Sequence, residues 1–567
     1  MTMALASTFS NLFDPVRLFG PIFDKELRVS SRRRKNYVLR FAYILLLSIF
    51  ILSIWYSTFG IRSSGSAVYQ ISRLSLAGRQ IISTVVWFQF IVAQLIAIVM
   101  LSSSVSDEIH TGTLSVLLTT PISSFQIVTG KLLSKLLQLI LLLAISLPLL
   151  AIVRIFGGVT WDYIVSSVCI TLTAAVLMGT LSLLLSMIFR HAYNVIIVTI
   201  LGYLLVFGAL AGLFNMLAVK GIFIFDENVT QSILALINPF AAFAATNANL
   251  LQIGVPKYFS WPIHCLIMLA VTAVLIVVAV WRVRGVALVS TFSSTTKLWS
   301  AGVLERMLTR IFYKAGSRSP DSSIIPVTGQ PIIWKEMRKG FIGRSKGEAA
   351  IFLLLIGVFL IAAVLLLLGS NRSPSLSSYF ISAFYLVAMV RMAVFSAGGI
   401  TIEKEARTWP VLLATPLEDR DIIRGKAIAA FRRNFPLLLL YIVLVSILYF
   451  KHFKMAGIKS IIAIVLLYIL LPTITSILFV IGSGLYFGTR FRTTTTAVAA
   501  TIGLHLAITF LFCGPFNPLS SFWYMAMSRM GGLWLYLGVT IVRILTIGIA
   551  GLSFARCARR RLRRDIF

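Results

Sequence analysis

Twelve stretches of this chain are long and apolar enough to be read as membrane spans, at about 38–59, 82–101, 133–153, 164–188, 194–216, 263–281, 349–369, 378–398, 434–450, 461–486, 495–513 and 533–555. A helix needs roughly 20 apolar residues to cross a bilayer. No other solvent lets so many such segments coexist, because in lipid every backbone polar group must be satisfied within its own helix. The expected fold is therefore an all-α polytopic membrane protein. Composition agrees: 58% of the 567 residues are hydrophobic and 12% are charged, against about 25% charged in ordinary soluble domains. That excludes a soluble globular enzyme. The first span follows the basic run Arg32-Arg33-Arg34-Lys35 and is too long for a cleaved signal, so it reads as an anchor.

The charge is the second constraint. The chain holds 51 Lys+Arg against 18 Asp+Glu, a net +33. Placing the N-terminus in the cytoplasm puts 38 of the basic residues on the inside, 11 outside and two, Arg391 and Arg543, within spans. Basic loops are retained on the cytoplasmic side, so both termini are expected there. The excess then records topology and contact with membrane lipids, and a nucleic-acid partner is not expected, since the charges are scattered without a binding motif.

An internal repeat organises the spans. Pro21-Ile22-Phe23-Asp24-Lys25-Glu26-Leu27-Arg28 returns as Pro331-Ile332-Ile333-Trp334-Lys335-Glu336-Met337-Arg338, with five of eight positions identical. Residues 106–131 align without gaps on 401–426, and ten of 26 positions agree, among them Glu108/Glu403, Pro121/Pro416, Gly130/Gly425 and Lys131/Lys426. Asn238-Pro239 and Asn517-Pro518 echo one another before the last span of each half. Six is even, so the halves run in parallel and should be related by a pseudo-two-fold along the membrane normal. The expected organisation is a first six-span unit at 1–285, a cytoplasmic linker at 286–330 and a second six-span unit at 331–567.

The repeated cytoplasmic pieces have a physical reading. Residues 12–28 are amphipathic and suit an interfacial helix, with Lys25, Glu26 and Arg28 among its polar positions; Lys335, Glu336 and Arg338 repeat them. Between the second and third spans lies a short helix at about 108–120, repeated at about 403–415. Thr113 and Thr408 stand as N-caps. Leu114, Leu117 and Leu118, then Trp409, Leu412 and Leu413, form apolar stripes. Pro121 and Pro416 are stops, and new helices begin at Ser123-Ser124 and Glu418-Asp419. Asp107 and Glu108, then Glu403 and Glu405, make an acidic approach to each short helix.

These residues carry a resemblance. Glu108-Ile-His-Thr-Gly-Thr-Leu-Ser-Val-Leu-Leu-Thr-Thr-Pro121 and its copy Glu403 to Pro416 resemble the E–x–x–x–G–T–x–x–x–L–L–x–T–P stretch of the ABC transporter type-2 permease family. The resemblance extends over both halves. The second copy departs from it, with Arg407 where the first has Gly112, and with Trp409 and Pro410. The family has six-span permease units, an interfacial connecting helix and a coupling helix between spans two and three. The resemblance implies that the coupling helices dock on separate ATP-binding cassette subunits, two copies of them. The contacts would be Asp107, Glu108, His110, Thr111, Gly112, Thr113, Leu114 and Leu117 in one half. In the other they would be Glu403, Glu405, Arg407, Thr408, Trp409 and Leu412. It also implies an ATP-driven exporter in a bacterial inner membrane, with ATP and Mg²⁺ bound by the partner.

The remaining chemistry is sparse. No phosphate-cradling G-x-x-x-x-G-K-[ST] loop is present, so this chain is not expected to be an enzyme. Its four Cys and five His lack metal-ligand spacing, and no metal or resident cofactor is expected. Arg391 and Arg543 are candidate functional charges, since a charge at membrane depth is costly. An ion-coupled twelve-span carrier and a non-transporting assembly platform are the alternatives. The first is disfavoured by the long turn between spans two and three and by the lack of acids in the spans. The second gains if neither ATP nor an ion gradient drives movement of any solute. The transported substrate is not legible.

Overall fold

A computed structural model describes residues 23, 25, 28, 34–59, 67–106, 108, 122–154, 159–189, 192–219, 227–251, 259–292, 330–338, 356–358, 360–361, 374–452, 470–513 and 532–563. The described residues form helices and no strand. In order these are α1 (Arg34–Phe59), α2 (Ala67–Ser102), α3 (Ser124–Arg154), α4 (Trp161–Ser186), α5 (Ala192–Tyr203), a π-helical stretch Leu204–Leu210, α6 (Ala211–Val219), α7 (Glu227–Ile237), α8 (Pro239–Leu251) and α9 (Trp261–Phe292). Then come α10 (Pro331–Arg338), α11 (Pro374–Glu405), α12 (Trp409–Leu413), α13 (Asp419–His452), α14 (Leu471–Arg490), α15 (Thr494–Cys513) and α16 (Gly532–Arg561). The protein is an all-α polytopic membrane protein. Eight of the described helical segments are long and apolar enough to cross a bilayer: Ile81–Ser102, Ser124–Ile152, Trp161–Ser186, Ala192–Asn215, Trp261–Val283, Phe384–Glu405, Asp419–Ile447 and Leu471–Arg490. Each overlaps one of the expected spans. Arg40–Ile49 and Thr494–Thr509 are shorter apolar stretches in two of the other expected spans, and α16 occupies the last. The expected span at 349–369 lies almost wholly outside the described residues.

By contact the chain falls into two compact units. One takes Met1–Thr199, Phe223–Leu298 and Thr509–Tyr524; the other takes Ile200–Ile222, Trp299–Ile508 and Met525–Phe567.

In the first unit α2 and α4 are the central pair, with α3 and α9 against them. Their core joins Leu101, Val105, Val128, Leu132, Leu183 and Val283 from all four helices. Without a hydrophobic drive between helices in lipid, close packing and interhelical hydrogen bonds hold such a bundle. Ser182 Oγ donates to the Ile98 carbonyl at 2.8 Å, tying α4 to α2. Helices α7 and α8 are bent by 114° at their junction. Pro239 cannot donate a backbone hydrogen bond and opens the second helix, and the Asn238 side chain accepts from the Phe240 amide at 2.9 Å. The bent pair is anchored by polar side chains. Ser83 and Tyr163 both donate to Asn247 Oδ1, at 2.9 and 3.0 Å, and His264 Nδ1 donates to the Leu236 carbonyl at 2.8 Å. Phe243 stacks on Phe90 at 4.3 Å, with Trp87 edge-on at 4.7 Å.

In the second unit α14 is the hub, packing on both α16 and α11. Glycines make this possible. A Cβ on Gly482 would lie 2.9 Å from the Gly551 carbonyl carbon, so two helix backbones touch there. Ser396 Oγ donates to the Val480 carbonyl at 3.3 Å. That bond and the one from Ser182 to Ile98 both link the second span of a half to its fourth. The π-helical stretch Leu204–Leu210 rests on α11.

Candidate functional site

The residues that repeat most closely meet at one place in each half, below the turn between its second and third spans. In the first half Lys131, at the start of α3, forms an ion pair with Glu108 at 2.6 Å. Its ammonium also donates to the Ser104 carbonyl at 2.5 Å, beyond the end of α2. The α3 start has a reciprocal capping box: Gln126 N donates to Ser123 Oγ and Ser123 N to Gln126 Oε1, both at 3.2 Å.

The second half builds the same contact from the aligned residues. Lys426, near the start of α13, meets Glu403, near the end of α11, at 2.7 Å. The shared register (Glu108 with Glu403, Lys131 with Lys426) thus has a structural reason: in each copy the two residues are partners. Here the cluster extends to α10. Glu336 Oε1 also lies 2.7 Å from Lys426. Arg433 reaches Glu336 Oε2 at 3.3 Å and the Glu336 carbonyl at 3.0 Å. Lys335 lies 3.1 Å from Glu403 at the solvent edge. Gly425 lets α10 lie close against α13, since a Cβ there would stand 2.8 Å from Ile332 Cγ2. Two carboxylates and the Lys426 ammonium are thereby taken out of water, which is tolerable only because each is paired.

Arg391 is drawn to the same region. It is 1% exposed, and its Nη2 donates to the Arg433 carbonyl at 3.3 Å. Arg391 and Arg433 both lie against the Phe395 ring, at 5.1 and 5.5 Å. The candidate intramembrane arginine therefore turns inward. Arg543 lies in α16.

The predicted contact residues of the second half divide. Glu403 is buried in the ion cluster. Glu405 accepts from Thr494 N at 2.6 Å and Thr494 Oγ1 at 2.9 Å, holding the start of α15. Trp409 is 1% exposed, so the apolar stripe expected to face outward is instead led into the chain's own helices. A five-residue helix is too short to set its own face, and packing on α11 decides it. Val411, 70% exposed, is the apolar side chain presented there. Arg407 and Thr408 are exposed and Leu412 half-buried. Thr408 stands at the N-cap of α12, as expected, but its hydroxyl donates back to the Glu403 carbonyl at 3.3 Å instead of capping. Arg407 has φ 56°, the left-handed region that suits glycine. The repeat places Gly112 at that position.

Of the other predicted residues, Lys25 and Arg28 are helical and exposed, and Arg338 lies in α10. Glu26, Asp107, His110, Thr111, Gly112, Thr113, Leu114 and Leu117 lie outside the described residues. Lys131, Lys426 and Arg433 were not among the expected site residues. The signal for Lys131 and Lys426 was present, as identical repeat positions. No group of metal-ligating residues occurs among the described residues.

A polytopic helical bundle with the same ion pair repeated in each half defines a multi-pass membrane protein. Residues 21–284 match the family model described as ABC-2 family transporter protein. No curated protein matches the chain.

Proposed function

We propose that this chain is a membrane subunit of an ATP-driven exporter, two six-span ABC-2 units fused in tandem, and that separate ATP-binding subunits dock at the turns between spans two and three. The observation that carries this is the doubled clasp. The first copy, Glu108–Lys131, falls inside the family match, and the second, Glu403–Lys426, repeats it in the other half. A load applied to either turn would pass through an ion pair on a buried lysine into the two spans it joins. A subunit bound there would move those spans without loosening the turn.

This chain supplies docking surface and lever, while ATP and Mg²⁺ are bound and the nucleotide hydrolysed in the partner. On the second half the surface offered is Arg407, Thr408, Val411 and Leu412. The acids work behind it by holding the helices. The test is purification of the full chain from its native membranes. An ATP-binding subunit should co-purify. Val411→Asp should strip that subunit away without changing the melting temperature of the chain. Reconstituted vesicles should then move solute with ATP and stop without it. Transport that runs on an ion gradient in the absence of ATP would overturn the proposal.

A further inference from the structure

Helix α16 carries one exposed stripe from its middle to its last turn: Ile541, Leu545, Ile549 and Leu552, then Arg556, Arg559 and Arg560. At 3.6 residues per turn all of these fall within about 100° of the helix circumference. The other side, with Ile547, Gly551 and Ala558, is buried. A Cβ on Gly551 would stand 2.7 Å from the Phe479 amide of α14, so that side is fixed by close packing. The exposed stripe changes chemistry once, between Leu552 and Arg556, which are one turn apart. An exposed apolar stripe on a membrane helix faces acyl chains, and the place where it turns basic marks the headgroup layer. The Lys/Arg count assigns this end of α16 to the cytoplasmic side.

Side chains on a helix lean toward its N-terminus. Helix α16 runs out of the membrane, so these three arginines lean back toward the bilayer. Among the described residues, no side chain or carbonyl takes the guanidinium of Arg556, Arg559 or Arg560. Their neighbours differ. Arg563 pairs with Asp419 at 2.8 Å, and Arg561, on the far side of the helix, has a contact within the chain. Three free guanidinium groups thus stand within about 6 Å of helix rise. Each can hold a phosphate with two parallel hydrogen bonds. A soluble anion would make no use of the apolar stripe, and an acidic protein surface would meet arginines that lean away from it. A phospholipid uses both parts at once.

We propose that the cytoplasmic end of α16 is a binding site for an anionic phospholipid. Arg556, Arg559 and Arg560 hold its charged headgroup, and an acyl chain lies along Leu552, Ile549 and Leu545.

The full chain in detergent can be titrated with phosphatidylglycerol and, separately, phosphatidylcholine, following retained lipid by native mass spectrometry and stability by melting temperature. Phosphatidylglycerol should be retained in preference and should raise the melting temperature more. Replacing the three arginines together (Arg556→Gln, Arg559→Gln and Arg560→Gln) should remove that preference, each contributing about fivefold in apparent affinity, with melting in phosphatidylcholine unchanged. Should that variant fold poorly, Ile549→Ser with Leu552→Ser should weaken retention of phosphatidylglycerol while the charges remain. A control removes the same charge from exposed arginines off the stripe (Arg420→Gln, Arg424→Gln and Arg490→Gln) and should keep the preference. Three results would overturn the proposal: preference retained without the α16 arginines, preference lost equally in the control, or inorganic phosphate alone giving the full stabilisation. No nucleotide or protein partner enters the measurement, so its outcome is independent of the transport reading.

Discussion

The bases of the two halves use the same residues at different depths. Lys131 and Lys426 are both buried, yet Glu108 is 25% exposed where Glu403 is 7%. In the second half Glu336 and Arg433 close over the pair, and α10 is pressed onto α13 at Gly425. A carboxylate with access to water can be rehydrated when its partner leaves. One sealed among helices cannot. The comparison teaches that a repeated ion pair is not a repeated energy: the contact is shared, and the surroundings set its value.

Removing the lysines tests this most strongly. Lys426→Met leaves Glu336 and Glu403 buried with their common partner gone, and should destabilise the second half by about 3–5 kcal/mol. Lys131→Met should lose only about 1–3 kcal/mol. Thermal melting of the purified chain measures both, and equal losses would erase the distinction. Adding Glu336→Gln and Glu403→Gln to Lys426→Met should recover much of the stability, because the stranded charges go with it.

A smaller effect tests how tightly α10 is held. Gly425→Ala pushes a methyl against Ile332 and should lose about 1–3 kcal/mol, and Ile332→Ala in the same chain should restore part of it. If Gly425→Ala is silent, α10 is not pressed on α13 as described. The smallest effect is a gain. Arg407→Gly relieves a left-handed backbone and should add about 1 kcal/mol, read as a rise in melting temperature. It would also make the second half match the first at Gly112.

Much of this was legible in the residues, for reasons that mark where legibility ends. Spans announce themselves because lipid tolerates little else, and α3, α4, α9 and α14 sit where hydrophobic length put them. Helix starts at Ser123 and Asp419 were readable because capping is local. The partnership of Glu403 with Lys426 was half-visible. Identity at both repeat positions marked the residues, but pairing depends on how α11 meets α13. Arg433 could not be found this way, because it enters from two turns further along α13 and has Gln138 as its counterpart in the first half. Trp409 was misread because a short helix takes its orientation from what it lies on. The sequence also gave no cue to the π-helical stretch at Leu204–Leu210, a wider winding within an unbroken apolar run.

The bent pair α7–α8 bears on how the chain is threaded. A turn sharper than a right angle reverses the direction of travel, and 114° is past that limit. The second helix runs partly back along the first, so the pair reaches less far in any one direction than a straight helix of the same length would. Its reach, and not its apolar length, sets how much of a bilayer it can fill.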